Sequence, residues 1–293
     1  MQGSRTISNP STLMRNIFFI FFLIFFQSLL ARDVQEITYS YWSQPDIQIY
    51  YSAPETISKN TQIIFIIHGA SRKAKQGLAN WLPVVKDRDV VLIAPEFSKE
   101  FYNEYAYLMK TTKTGRKLKD TSSDLESSLG NIFNFFTAKL KLSTKKFRLY
   151  GHSGGSQFVH RYLLLSNETR IDKVAMANAG FYTFVNPAIK YPFGIKNMDV
   201  SDERLQWFLS LKGGVFLGGE DNDPKHSSLP IMRKAKKQGD HRLERGTNFF
   251  NHLVELGVTK NMPFRWRYQV VPGISHDNAG MSLAAADFLL EDL

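Results

Sequence analysis

The chain has 293 residues, of which 43% are hydrophobic, and its 37 Lys and Arg against 27 Asp and Glu give a formal net charge of +10. This length and apolar content suffice for the core of one α/β domain. The sequence contains no Cys, which excludes disulfides and cysteine-ligated metal sites. It also lacks a phosphate-binding loop, a metal-binding helix motif and a dinucleotide fingerprint, so we predict a reaction that uses no cofactor and no metal.

The first predicted element is an apolar segment over residues 17–26, which follows Arg15. Its length suits the hydrophobic region of a signal peptide better than a membrane span, which needs about 20 residues. We predict that residues 1–31 are a signal peptide cleaved after Ala31, and a start at Met14 would make that signal compact. The protein is then exported, as a periplasmic or secreted protein. The alternative is an uncleaved segment that anchors it in the membrane.

An antiparallel edge and a buried strand are predicted next. Residues 36–43 and 47–52 alternate like two strands joined by a short turn. Residues 61–67 form an uninterrupted apolar, β-branched run, typical of a strand buried on both faces of a sheet. In the loop after it we assign a scaffold role to His68 and an oxyanion-binding backbone N–H to Ala70.

Further alternation of strands and helices indicates the fold class. We predict a helix over residues 74–86, a buried strand over 90–94 and an amphipathic helix over 122–140. Strands that alternate with helices imply a mostly parallel central sheet with helices on both faces. Residues 32–293 are therefore interpreted as a single α/β domain.

The candidate nucleophile is Ser153, in a G-x-S-x-G pattern between a strand-like run and a helix-like run over residues 157–165. This pattern predicts a nucleophile elbow, a sharp strand-to-helix turn that presents the serine hydroxyl. Gly151 and Gly155 fit such an elbow because a Cβ at either position would clash where strand and helix crowd together. The backbone N–H of Gly154 is the second predicted oxyanion donor.

An irregular, aromatic segment separates the predicted strands over residues 173–177 and 213–217. We predict a short cap or lid insertion at about residues 181–212. Its aromatic side chains either wall an acyl- or polymer-binding cleft or pack as ordinary core, and the sequence leaves both interpretations open. Residues 97–107 are a second candidate wall.

A candidate acid and a candidate base follow the last two predicted strands. Glu220, Asp221 and Asp223 lie just past the strand over residues 213–217, and the spacing favours Asp221, with Asp223 as the alternative acid. His276 lies on a loop after a strand-like run over residues 264–271. Each of the three groups thus follows a strand, in the order serine, aspartate, histidine, and we predict a Ser-His-Asp triad.

With these motifs the chain resembles α/β-hydrolase-fold serine hydrolases from about residue 61 to its C-terminus. Within that superfamily it is most similar to exported bacterial esterase-like proteins related to polyhydroxyalkanoate depolymerases. The stretches that carry this likeness are 68–72, 94–97, 177–182 and 238–246. The resemblance implies the α/β-hydrolase fold and cleavage of a small-molecule or polymeric carboxylic ester through an acyl-enzyme. An acyltransferase or peptidase on the same scaffold, or a catalytically silent exported binding protein, are the alternatives.

Two basic clusters, over residues 116–119 and 233–237, remain outside this interpretation. Neither has the interleaved aromatic residues of a single-strand-binding surface, so we predict no nucleic-acid partner. They are either a solvated face or a region that attracts an anionic envelope surface or an acidic polymer. A membrane partner is expected only if the N-terminal segment stays uncleaved.

Overall fold

The computed structural model describes residues 32–119 and 124–293. The predicted signal peptide, the start at Met14 and the cleavage site after Ala31 lie outside the described residues. Among the helices of these two ranges, none combines the length and the apolar character needed to cross a bilayer.

Eight strands of the described ranges form one sheet, and their bounds in chain order are β1 Gln35–Tyr39, β2 Ile47–Ser52, β3 Gln62–Ile67, β4 Val90–Glu96, β5 Phe147–His152, β6 Ile171–Ala177, β7 Lys212–Gly218 and β8 Trp266–Val271. Across the sheet the order is β1-β2-β4-β3-β5-β6-β7-β8. β1 pairs antiparallel with β2, and β2 pairs antiparallel with β4, as predicted for the edge. All pairs from β4 to β8 run parallel.

Two apolar cores flank this sheet, and β3 contributes to both. Ile63, Phe65 and Ile67 point into one core, whereas Ile64 and Ile66 point into the other. A strand covered on both faces needs apolar side chains at every position, which is why its sequence is a continuous run rather than an alternation. The predicted α/β-hydrolase fold class is confirmed by this mostly parallel, doubly covered sheet.

The helices that cover the sheet are α1 Ala74–Ala79, α2 Leu82–Val85, α3 Ser128–Lys139, α4 Gly154–Leu165, α5 Asp202–Ser210, α6 Arg233–Lys236, α7 Arg242–Thr259 and α8 Asn278–Leu290. The apolar side chains of α1, α2 and α8 fill one core. Those of α3, α4, α5 and α7 fill the other. The helices thereby cover both faces of the central strands, whereas most of the edge strand β8 is exposed.

Two predicted helices differ from the observed ones. The single helix expected over residues 74–86 is divided into α1 and α2, with Pro83 in the first turn of α2. Proline fits there because the first turn of a helix needs no N–H from it. The helix expected over residues 122–140 begins only at Ser128, because residues 124–127 form a loop and turn in which the Asp124 carboxylate accepts from the Glu126 N–H.

The segment between β6 and β7 is irregular up to residue 201 and then forms α5. Its aromatic side chains point inward. Phe181 stacks on Phe193 with ring centroids 4.7 Å apart, and Tyr182 stacks on Phe249 of α7 at 4.4 Å. All four rings are buried and pack against one another, and Phe193 also lines a surface cavity.

Candidate active site

Three predicted site residues lie at one edge of the sheet. Ser153 directly follows β5, Asp221 comes three residues after β7, and His276 comes five residues after β8. These strands are parallel, so their carboxyl ends meet at the same edge, where ligands bind in open α/β sheets. The topology therefore unites groups that are up to 123 residues apart in sequence.

Ser153 occupies a strained turn between β5 and α4, with φ 55° and ψ −115°. The turn is sterically possible because Gly151 and Gly155, two residues before and after the serine, have no side chains. A Cβ on Gly151 would lie 2.5 Å from the carbonyl carbon of Gly155, and a Cβ on Gly155 would overlap the carbonyl oxygen of Ile67 in β3. Glycine at both positions thus lets the helix approach the sheet, and the serine hydroxyl is presented at the surface of the turn.

The three side chains form a continuous hydrogen-bonded chain. His276 Nε2 lies 3.0 Å from Ser153 Oγ, and His276 Nδ1 lies 2.7 Å from Asp221 Oδ2. Asp221 is buried, whereas Asp223 is exposed and its carboxylate accepts from the Lys225 N–H at 2.8 Å. Asp223, the alternative acid, is therefore a turn residue, and the carboxylate that contacts the histidine belongs to Asp221.

A second side chain, unforeseen from the sequence, contacts the same carboxylate and carries a positive charge. Arg242, at the start of α7, is buried, and its Nη1 lies 3.1 Å from Asp221 Oδ1. Its Nη2 donates to Ser228 Oγ at 2.9 Å, and the backbone N–H of Leu243 donates to the Asp221 carbonyl at 3.1 Å. Asp221 is therefore held by α7 on one side and by the histidine on the other.

The imidazole of His276 lies between two other imidazoles. The His152 ring is tilted by 35° with its centroid 4.7 Å away, and the His226 ring meets it edge-on at 5.4 Å. Burial lowers the pKa of His152 to about 3, so that ring is neutral at ordinary pH. The two rings fix the plane of His276 without adding a charge from His152.

Burial and the charge of Arg242 together set the pKa values of Asp221 and His276. Burial alone would raise the pKa of Asp221, but the hydrogen bond from His276 and the charge of Arg242 lower it below its usual value. The pKa of His276 is lowered first by burial, against the opposing hydrogen bond to Asp221, and then by the charge of Arg242. The acid is thus held ionised, and the histidine is held neutral, which is the form that can accept a proton.

The two predicted oxyanion donors lie beside each other. A Cβ on Gly154 would lie 3.0 Å from the Ala70 nitrogen and 2.8 Å from the Tyr105 hydroxyl. Gly154 is the first residue of α4, so its N–H has no partner within the helix. The two backbone nitrogens therefore meet at the corner of the turn that carries Ser153.

His68 shapes the loop that carries Ala70. Its Nε2 accepts from the Phe97 N–H at 3.0 Å, so the proton is on Nδ1, which donates to the Gly69 carbonyl at 2.8 Å. Burial lowers the pKa of His68 to about 3. The hydroxyl of Tyr105 donates to the His68 carbonyl at 2.7 Å. These contacts give His68 the scaffold role expected from the sequence.

Asn178, which sequence reasoning missed, links the end of β6 to the end of β7 and to the loop after β8. It follows β6 with a positive φ of 48°, and its Oδ1 accepts from the Gly218 N–H at 2.8 Å. Its Nδ2 donates to the Ser275 carbonyl at 3.2 Å, one residue before His276. A local signal existed, because Asn tolerates this backbone conformation better than most residues.

A cavity of about 350 Å³ opens onto the Ser153 hydroxyl. Most of its lining residues are of polar type, among them Lys73, Gln76 and Asn80. No aromatic residue of the described ranges other than histidine lines it, so both predicted aromatic walls, residues 181–193 and 97–107, are wrong for this cavity. Within residues 32–119 and 124–293, no group of three or more His, Cys, Asp or Glu is arranged to hold a metal ion.

Comparisons with known proteins give a consistent result. No protein-family model and no curated protein sequence matches the chain. Poly(aspartic acid) hydrolase-1 from Sphingomonas sp. KT-1 is 30% identical, with a TM-score of 0.81 over 88% of this chain and 98% of its own. The poly(3-hydroxybutyrate) depolymerase LpqC from Bordetella parapertussis is 23% identical, with a TM-score of 0.80 over 89% of this chain and 91% of its own. An S-formylglutathione hydrolase from Agrobacterium tumefaciens is 10% identical, with a TM-score of 0.59 over 89% of this chain and 94% of its own. The last two likenesses concern the fold alone.

Proposed function

The chain belongs to the α/β-hydrolase family, and on that premise we propose that this hydrolase cleaves carboxylic esters through a Ser-His-Asp triad and an acyl-enzyme. One observation carries the proposal: Asp221, His276 and Ser153 are joined by contacts of 2.7 and 3.0 Å, in the order that proton transfer from the serine requires. The strained elbow supports it, because strain of this kind concentrates at functional sites.

In the proposed acylation step, Ser153 Oγ attacks the ester carbonyl carbon while His276 Nε2 takes the hydroxyl proton. Asp221 keeps the remaining imidazole proton on Nδ1, so that Nε2 is free to accept, and it stabilises the imidazolium that forms. The carbonyl oxygen becomes an oxyanion, which the N–H groups of Ala70 and Gly154 bind. Removal of one such donor typically costs about 2.7–4 kcal/mol of transition-state stabilisation.

The tetrahedral intermediate then collapses and the ester C–O bond breaks. His276 returns its proton to the departing alcohol, which leaves the acyl group on Ser153. A water molecule, deprotonated by the same imidazole, attacks the acyl carbon. The bond to Ser153 Oγ then breaks, His276 returns the proton to that oxygen, and the carboxylic acid is released. Arg242 touches no reacting atom in this scheme, so it is a positioning residue that acts through Asp221.

A second candidate reaction is cleavage of an amide bond in an acidic polymer. The observation that favours it is the name of the 30% identical neighbour, which is a hydrolase of poly(aspartic acid), a polyamide. The same triad and oxyanion donors serve both bonds, and only the departing group differs. A panel of matched ester and amide substrates decides between the two.

The test is a comparison of wild type with Ser153→Ala. Wild type should hydrolyse a p-nitrophenyl ester and be labelled by a fluorophosphonate probe, and the variant should lose both. Ser71 lines the same cavity but lies off the elbow, so Ser71→Ala is the matched control and should retain labelling. A folded Ser153→Ala protein that is still labelled would show that another residue is the nucleophile.

A further inference from the structure

The basic cluster at residues 233–237, which the proposed reaction does not use, forms one wall of a surface groove. The groove consists of two adjoining cavities of about 470 and 350 Å³, which share Phe193, Lys234 and Lys237 as lining residues. Lys190 lines the larger cavity, and Arg233 lines the smaller one. We call this feature the basic groove.

The floor of the basic groove is apolar and rigid. Phe193 is stacked on Phe181, which in turn lies under the guanidinium of buried Arg161 at 4.9 Å. Phe184 and Ile189 extend the floor. Lys234 Nζ lies 5.5 Å from the centroid of the Phe193 ring, which places a cation directly beside the aromatic surface. Such a floor offers apolar contact to the carbon backbone of a chain molecule.

The walls of the basic groove carry positive charge that no carboxylate neutralises. Lys190, Arg233, Lys234 and Lys237 are exposed, and no Asp or Glu of the described residues lines either cavity. None of the four forms an ion pair with any residue that the structure describes. Lys234 and Lys237 are three residues apart on one helical turn, so both project to the same side.

The basic groove lies close to the catalytic cavity along the chain. Ser228 lines the cavity at Ser153, and Met232 lines the groove. Four residues span at most about 14 Å, so a polymer whose cleaved bond lies at Ser153 reaches the groove within a few repeat units. Pro230, midway between them, packs at Gly180, where a Cβ would lie 2.8 Å from its ring.

We propose that the basic groove binds the carboxylate-bearing part of a polyanionic polymer substrate whose scissile bond lies at Ser153. This inference rests on the proposed function, since it assigns a substrate class to the same site. Lysine and arginine side chains pair with carboxylates, and the aromatic floor contacts the polymer backbone. A concave groove close to the catalytic cavity fits a chain molecule, whereas binding to an anionic membrane would call for an apolar or basic face set against the bilayer surface.

The experiment measures binding without turnover. In a Ser153→Ala background, fluorescence anisotropy of fluorescein-labelled poly(aspartic acid) gives the dissociation constant. Lys234→Glu/Lys237→Glu reverses two charges of the groove. Lys145→Glu/Lys146→Glu reverses two exposed lysines just before β5, at the amino end of the strands and thus on the opposite edge of the sheet. The groove variant should bind at least about tenfold more weakly, and the control variant should stay within about twofold.

Further variants and probes keep the inference falsifiable. Lys234→Gln/Lys237→Gln should give an intermediate loss, and thermal unfolding verifies that each variant is folded. Equal weakening in the groove and control variants would show a general charge effect and overturn the proposal. Absence of polymer binding would do the same, as would groove-dependent binding of phosphatidylglycerol vesicles in its place. Ester turnover and probe labelling, measured on wild type, test the catalytic proposal separately, because binding in Ser153→Ala requires no chemistry.

Discussion

Because two residues donate to the Asp221 carboxylate, Asp221→Asn should have an unusual effect. The carboxylate accepts from His276 Nδ1 at 2.7 Å and from Arg242 Nη1 at 3.1 Å. An amide has only one oxygen, and arginine, which has no acceptor, takes it. The amide NH2 then faces His276 Nδ1, so the imidazole proton moves to Nε2 and points at Ser153. A histidine in that tautomer cannot remove the serine proton.

The expected loss in kcat for Asp221→Asn is about ten-thousand-fold, the size seen when a triad aspartate becomes an amide, and it corresponds to about 5 kcal/mol. The orientation of the amide is decided by one hydrogen bond to a charged group, which contributes about 1.5–3 kcal/mol. If Arg242 is replaced by Met as well, the amide oxygen is free to face the histidine. The double variant should therefore be about tenfold or more faster than Asp221→Asn alone.

The assay is steady-state hydrolysis of a p-nitrophenyl ester, with circular dichroism to verify folding. Asp223→Asn is the matched control, because Asp223 is an exposed acid two residues away and should retain wild-type activity. Activity losses of equal size in Asp221→Asn and Asp223→Asn would refute the assignment of the acid. A folded double variant no faster than Asp221→Asn would refute the argument from amide orientation.

Two further predictions concern pH and stability. Because neutral His276 is the proposed base and its pKa is lowered, the acid limb of the pH profile of kcat/KM should have its midpoint below 6.5. In Arg242→Gln a cation that lowers this pKa is lost, so the midpoint should move up, and an unchanged midpoint would contradict the electrostatic role. Gly155→Ala should reduce the free energy of unfolding by about 1–3 kcal/mol or more in urea denaturation, because its Cβ meets the backbone of β3. Gly257 lies in α7, and a Cβ there would be 3.4 Å or more from Phe264 and Met262, so Gly257→Ala should change the free energy of unfolding by less than about 1 kcal/mol. Equal losses of stability in the two variants would contradict the packing argument.

The sheet was predictable from sequence to a greater extent than the helices. β3 and β7 were predicted within one residue at each end because strands buried on both faces leave an unbroken apolar run. The 18-residue helix α7 was missed, because its N-cap is His241, an uncommon capping residue, and because it contains Gly246. That glycine is required by close packing against β7, where a Cβ would overlap the Leu217 side chain. Tertiary contacts, rather than local preference, hold this helix.

Some residues of the candidate site could be predicted from the sequence, and others could not. Ser153, Asp221 and His276 each follow a strand, so a local pattern identified them and the fold united them. Arg242 carries no such pattern, since its partner Asp221 is 21 residues away and an arginine at the start of a helix has no special meaning by itself. The role of the aromatic segment stayed open in the sequence for a related reason. An aromatic residue such as Phe181 looks the same in the sequence whether it faces a cleft or the core, and only the packing of the folded chain shows which one it faces.

The constant positive charge of Arg242 beside Asp221, the proposed triad acid, has a consequence for the kind of bond that the enzyme cleaves. An imidazolium made less stable by a nearby cation is a stronger Brønsted acid, although its conjugate base is weaker toward Ser153. Such a site gives up some power to activate the serine and gains power to expel strongly basic alkoxides or amines. The benefit should therefore be greatest for unactivated linkages, such as those that join the repeat units of a polymer.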